Sequence, residues 1–158
     1  MEHKRYGGNE ELYRANAKDE DPTLNVIMEG DYRGRHFVIG AHCTGNPNAY
    51  LEAKDEDTIS YESQNYENYD GGLNRVNGGS TYFGKAYWNK EDKRMYVGWD
   101  YGHSYDYNAR HPNLGGRKWD LIDILMEIAC AEDEIENLNA NDPDYFERII
   151  CGKNRTEA

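Results

Sequence analysis

The chain reads as an α+β domain, a mostly antiparallel sheet packed by one long C-terminal amphipathic helix. Three observations predict this. Short apolar runs separated by glycine-rich turns occupy the first two thirds of the chain. The segment Arg94 to Tyr101 alternates with a period of two, which is the repeat of a strand. From Leu121 onward apolar residues recur at three- and four-residue steps, which is the repeat of a helix. Strands followed by a helix place the helix on one antiparallel sheet, unlike the strict strand–helix alternation of a parallel one.

Residues 1–23 are polar, carry Gly7-Gly8 and the run Asp19-Glu20-Asp21 before Pro22, and are expected as an N-terminal arm. Glu10 to Ala17 could form a short helix within it. Leu24, Val26, Ile27 and Met28 mark a first strand, Gly30 to Gly34 a turn, and Phe37, Val38 and Ile39 a short buried strand, together a hairpin. Cys43 to Asn48 is a loop by composition, and Tyr50 to Ala53 a short strand. Lys54 to Asp70, rich in Asp, Glu, Asn and Tyr, is expected as a long surface excursion ending at Gly71-Gly72. Gly78-Gly79 lead into a strand with Tyr82 and Phe83, and Lys90 to Lys93 form a turn. In the strand that follows, Met95, Val97, Trp99 and Tyr101 share one face, and Arg94, Tyr96, Gly98 and Asp100 the other. Gly102 to Gly116 is a loop. Trp119 to Asn139 is the long helix, with Asp120 as its cap and Asp123 completing a variant of the capping box. Leu121, Ile124, Leu125, Ile128, Ile135 and Leu138 make its core face, and Glu127, Glu132, Asp133, Glu134 and Glu136 a solvated one. Pro143 ends the helix. The domain body is therefore residues 24–140, and 141–158 is expected as a short turn and a polar tail.

The 158 residues carry 18 Lys and Arg against 30 Asp and Glu, a formal charge of -12. That excludes a general nucleic-acid binder, because phosphate contacts need a positive surface, and it disfavours anionic membranes. No run of about 18 apolar residues is present, so neither a membrane span nor a signal peptide is expected. Fourteen tyrosines argue for a packed chain despite the charge, since each ring buries area while keeping a polar tip. Cys43, Cys130 and Cys151 form no C-x-x-C pair and fit a reducing compartment, with Cys130 expected in the core. No cofactor motif, metal-ligand spacing or complete catalytic set is legible.

The richest stretch is Gly98-Trp99-Asp100-Tyr101-Gly102-His103-Ser104-Tyr105-Asp106. A strand runs into a loop bearing Asp100, His103 and Asp106. A carboxylate beside an imidazole can orient it and raise its basicity. The same residues could instead accept loop amides and pack His103 on tyrosine. With Asn77 and Thr81 they form the candidate polar or ligand-binding site. His42-Cys43 lacks the further ligands a metal would need. The candidate partner-binding surface is Asp55, Glu56, Asp57, Tyr61, Tyr66 and Tyr69 of the excursion, with Glu132, Asp133 and Glu136 of the helix.

The order Val76-Asn77-Gly78-Gly79-Ser80-Thr81-Tyr82, then Gly98 to Asp106, then Trp119 opening a helix, resembles a small-protein family common in phage genomes. That family reads HGG-hydrophobic-TY, GFD-x-x-H-x-GD and a Trp-led C-terminal helix. Gly45-Asn46-Pro47 with Tyr50 resembles its GHP-x-x-Y turn. Asn77 and Asn46 stand where the family has histidine, and asparagine keeps the hydrogen bonding without shuttling protons near neutral pH. The resemblance implies a phage or mobile-element accessory protein in the bacterial cytoplasm, of the counter-defence, anti-CRISPR-like kind.

These readings give three expectations. The first is a stoichiometric inhibitor whose acidic, tyrosine-bearing surface docks on the basic nucleic-acid-binding surface of a host defence protein, without touching nucleic acid or membrane itself. The second is a sponge for a nucleotide-type signal, with phosphates met by Arg75, Arg110 or Arg117 and a homo-oligomer building pockets between subunits. The third is a hydrolase using His103 with Asp106.

Overall fold

In the computed structural model, residues 2–14, 24–65 and 72–157 are described. Tyr66 and Tyr69 of the expected docking surface, and the run Asp19 to Asp21, lie outside them. Six strands occur among the described residues: β1 (Glu2–Arg5), β2 (Asn25–Tyr32), β3 (Arg35–Ala41), β4 (Pro47–Ala53), β5 (Tyr82–Lys85) and β6 (Met95–Asp100). They form one sheet in the order β1-β2-β3-β4-β6-β5. Every ladder is antiparallel. Three helices accompany it: α1 (Thr58–Asn65), α2 (Leu121–Ala140) and α3 (Pro143–Glu157). The expected α+β class and the long capped helix are both present.

The first hairpin is longer than its glycines suggest. Tyr32 pairs with Arg35, so only Arg33 and Gly34 form the turn. Both have positive φ, 49° and 80°. That is the mirror-image two-residue turn whose twist matches a hairpin. Gly30 lies within β2, opposite Phe37.

Alternation along the strands divides two cores. Phe37, Ile39, Ala49, Leu51, Val97 and Trp99 face the side covered by Leu121, Ile124, Ile128 and Ile135 of α2. Val38, Tyr50 and Tyr96 point the other way, into a smaller cluster with Leu24 and Ala86. Tyr82 and Trp88 pack against that cluster. The Tyr50 ring lies 4.5 Å from Trp88 and 5.5 Å from Tyr82. Both faces of the central strands are thus buried, which explains why β3 reads as a continuous apolar run.

Three segments and one cysteine depart from expectation. The first is the N-terminal arm. Glu2–Arg5 is an edge strand on β2, and Leu12, 0 % exposed, belongs to the main core. The Tyr13 hydroxyl accepts the amide of Trp119 at 2.7 Å and donates to its carbonyl at 2.9 Å. Burial pushes that phenol up to about 12. One core leucine and one tyrosine anchor a segment whose composition is otherwise polar.

The second concerns the excursion after β4. It contains α1, with Ile59 fully buried. Cys130, expected in the core, is exposed.

The third is the C-terminal tail, which is helix α3. Asn141-Asp142-Pro143 stops α2 and also starts α3. Asp142 accepts the amide of Asp144 at 3.0 Å, and proline fits the first helical turn. Its other oxygen accepts from Arg148 and from Thr58 of α1, both at 2.8 Å. The Arg148 bond, opposed by burial and aided by Thr58, holds the Asp142 carboxyl below the usual carboxylate range. A lowered folded-state value adds stability above the unfolded value, and that stability is lost as pH falls through the folded one. Asp142→Ala should therefore cost ~1 kcal/mol near neutral pH, the usual worth of a helix cap. The gap in Tm between variant and wild type should close on acidification towards pH 3. A gap that stays constant with pH would assign Asp142 no electrostatic role.

Candidate functional site

Three loops meet where β3 and β6 end and β4 begins. The Asn48↔Asp100 pair brings Asp100 beside the turn between β3 and β4. The turn before β5 places Asn77 and Thr81 against the loop after β6. All five residues of the candidate polar site come together here.

Asp106, 4 % exposed, is the hub. One of its oxygens accepts from Asn77 Nδ2 at 2.8 Å, from the His103 amide at 3.1 Å and from His103 Nδ1 at 2.9 Å. The other accepts from the indole Nε1 of Trp119 at 2.9 Å. Three N–H donors, from Asn77, the His103 amide and Trp119, thus converge on one carboxyl, with the His103 ring nitrogen beside them. Asn77 Nδ2 also lies 3.4 Å from His103 Nδ1. Asp100 lies beside the pair, with an oxygen 3.9 Å from His103 Nδ1. Its carboxylate also accepts from the Gly102 amide at 3.0 Å and from Thr81 Oγ1 at 3.3 Å. The loop itself is stapled, since the Tyr107 amide donates to the Arg117 carbonyl at 2.8 Å and the Arg117 amide donates to the Tyr105 carbonyl at 2.9 Å.

The imidazole is held between two walls. Tyr105 stacks on it with ring centroids 5.1 Å apart and planes 3° from parallel. Gly78, at φ 71°, covers it from the other loop. A Cβ at Gly78 would meet Nε2 at 2.3 Å and Cε1 at 2.5 Å. Cδ2 would lie farther off, at 3.2 Å, so that position is beside the Nε2–Cε1 edge of the ring. Glycine at 78 therefore supplies both the backbone conformation and the slot for the ring.

No family model, curated protein or solved structure matches the chain. The assignment of roles therefore rests on geometry and charge. Among the described residues, no group of three or more His, Cys, Asp or Glu side chains is placed to hold a metal ion. No helix among them is long and apolar enough to cross a membrane. His42 contacts Thr44 at 2.8 Å and the Cys43 thiol at 3.8 Å, a local cluster. Burial lowers the His42 pKa, against the pull of Asp100.

Two residues of this end carry roles that the sequence reading did not assign. Trp119 was legible only as the opening of a helix, yet its N–H fixes Asp106. Glu127, read as solvated, accepts the Tyr101 hydroxyl at 2.6 Å and the Asn77 amide at 3.1 Å. Burial first, and Glu127 second, push the Tyr101 phenol up. The helical period could have found Glu127, since it lies one turn from both Ile124 and Ala131, which are buried.

The expected docking surface splits. Asp57 is 1 % exposed and Glu132 2 %, so neither can meet a partner. Both pair with Arg35 of β3, Asp57 in a two-pronged contact at 2.5 and 2.9 Å and Glu132 at 2.5 Å. Glu134 is also turned inward, accepting the amides of Asn74 and Arg75 at 2.8 Å. Of the five carboxylates on the acidic face of α2, Glu127 and Glu134 thus hold neighbouring loops and Glu132 holds β3. Asp55, Asp133 and Glu136 remain exposed, Glu56 is half-buried, and Tyr61 is exposed with Arg148 4.7 Å from its ring. Thr58 ties these segments together by donating its amide to Asn139 at 2.8 Å.

Proposed function

We propose that the protein is a stoichiometric binding protein of the bacterial cytoplasm, a counter-defence inhibitor that docks on the basic nucleic-acid-binding surface of a defence nuclease. The setting follows the phage-family resemblance of the Asn77–Tyr82 and Gly98–Asp106 motifs. One observation supports the mode of action. Acids and rings from segments about eighty residues apart, Asp55, Glu56 and Tyr61 with Asp133 and Glu136, gather at one end of the sheet. Tyr145 of α3 registers that convergence: after burial, Asp57, Glu136 and Glu56 are what push its phenol up. Several neighbouring cations are already engaged, Arg35 by three carboxylates, Arg148 by Asp142 and Arg33 by Asp133. Asp133 and Glu136 are themselves the partners of Arg33 and Arg35, so the charge that steers a basic partner there is carried first by Asp55 and Glu56.

The nucleotide-sponge reading fits less well, because Asp100 and Asp106 both flank His103 in the polar site and their charge disfavours a phosphate there. For the docking reading, a panel of purified CRISPR nucleases would be assayed for loss of DNA cleavage. Asp55→Lys with Asp133→Lys should weaken inhibition about tenfold or more, and binding should fall steeply between 50 and 300 mM salt, roughly as screening predicts. Inhibition indifferent to both salt and charge reversal would remove charge as the basis of docking.

A further inference from the structure

The first half of α2 carries an outer face that neither the core nor the proposed docking uses. Of the ten residues from Leu121 to Cys130, only Asp123 and Glu127 are charged. Both are already committed, Asp123 to the helix cap and Arg117, and Glu127 to Tyr101 and Asn77. What this half of the helix turns outward is therefore apolar. Ile122 is 69 % exposed and Met126 64 %, and Cys130 is exposed one turn further on. Leu125 and Ala129, half-buried, widen the stripe along one side. The stripe keeps the helical step of the core face but lies on the opposite side of the helix. A helix that is apolar on two faces is ordinarily covered on both.

We propose that this stripe is a homodimer interface, in which α2 packs antiparallel on α2 of a second copy with Met126 at the twofold axis. Three observations select a second copy as the occupant. The stripe is complementary to itself in size. About that axis Ile122 falls opposite Cys130 of the other copy, a large side chain on a small one, and flexible Met126 meets Met126. It is also complementary in charge. Exposed Arg117 stands at the N-terminal end of the helix, held there by Asp123, and exposed Asp133 one turn beyond Cys130. Antiparallel packing turns each Arg117 towards the other Asp133, whereas parallel packing would set the two Asp133 carboxylates side by side. Finally, two chains of charge -12 repel one another, and this stripe offers a contact without a free acid in it. A standard interface buries roughly 800 Å² per partner, more than one helix stripe supplies, so the dimer belongs in the range of tens of micromolar.

Sedimentation velocity on the full chain, over about 5 to 500 µM, should show the sedimentation coefficient rising towards that of a dimer. Met126→Glu should hold the protein monomeric over the same range with Tm unchanged, because Met126 is largely exposed. Added salt should tighten the dimer by screening the net repulsion, the reverse of its effect on docking to a nuclease, so the two proposals fail separately. A chain that stays monomeric throughout would overturn the dimer and leave the stripe to a different protein. Dimers equally tight in Met126→Glu, or loosened by salt, would overturn it as well. Cysteine pairing reports the orientation. At 1.5 Å per residue, positions 122 and 130 each lie about 6 Å along the helix from the axis, so two Cys130 side chains stand roughly 12 Å apart, beyond disulfide reach. On mild oxidation, Ile122→Cys in a Cys151→Ser background should therefore link position 122 to Cys130 between copies, mapped by peptide mass. Cys151→Ser alone should not link. Failure of the first protein to link, or a ready Cys130–Cys130 bond in the second, would overturn the antiparallel packing.

Discussion

Arg35→Met should lower the unfolding free energy by about 3–5 kcal/mol, the cost of breaking a buried ion cluster from one side. Arg35 is 3 % exposed, and its guanidinium meets Asp57, Glu132 and Glu136 from α2 and the segment before α1, with the Glu52 carbonyl as a fourth partner at 3.2 Å. Burial opposes its charge, but Asp57 first and then Glu136 and Glu132 more than restore it. Glu132 shows the other half of the balance: burial raises its carboxyl despite Arg35. Methionine fills the space and leaves these carboxylates facing one another without a cation. Urea unfolding at neutral pH would measure the loss. The same variant should recover stability on mild acidification, because the orphaned carboxylates can then take up protons. A loss under about 1 kcal/mol, typical of a surface pair, would mean that water replaces the arginine. Replacing Arg35, Asp57 and Glu132 together by apolar residues should cost less than Arg35→Met alone, since no uncompensated charge is left between them.

Asp106→Leu should cost a similar amount, about 3–5 kcal/mol, through several unpaired donors at roughly 1–3 kcal/mol each. The Trp119 indole, the Asn77 amide and the His103 ring would all lose their acceptor. The consequences reach beyond the loop, because Trp119 joins Asp106 to the Tyr13 clasp at the start of α2. Asp106→Asn should be milder, since its Oδ1 can still accept from Trp119. Tryptophan fluorescence alongside urea unfolding would separate local loosening of Trp119 from global loss. An Asp106→Leu protein as stable as wild type would show that the loop is held by its backbone bonds to Arg117 alone.

Much of the scaffold is written in local spacing. The alternation of Val97, Trp99 and Tyr101 against Tyr96 specifies β6, and the steps from Leu121 to Ile135 specify α2. Asp120 and Asp123 form the reciprocal cap that their three-residue spacing implies. The polar site was legible too, because Asp100, His103 and Asp106 fall within seven consecutive residues and glycine pairs mark the loops that meet them.

Other features were not legible, for reasons that particular residues make clear. α3 and β1 depend on contacts that composition does not carry: Asp142 binding Arg148 and Thr58, and Tyr13 clasping Trp119. The acids of α2 look alike in sequence, yet Glu127, Glu132 and Glu134 face inward while Asp133 and Glu136 remain exposed. Arg35 and Glu132, 97 residues apart, are a buried pair that no periodicity reports.

By itself, then, the chain determined its secondary-structure periods, its caps, its surplus of negative charge and the cluster of groups around His103, all set by residues within a few positions of one another. Tertiary structure alone decided which carboxylates are spent on Arg35 and on loop amides, which stay exposed, and which donors converge on Asp106. Burying a charge is tolerable only where a partner is already fixed, and the positions of those partners are set by the packing of distant segments.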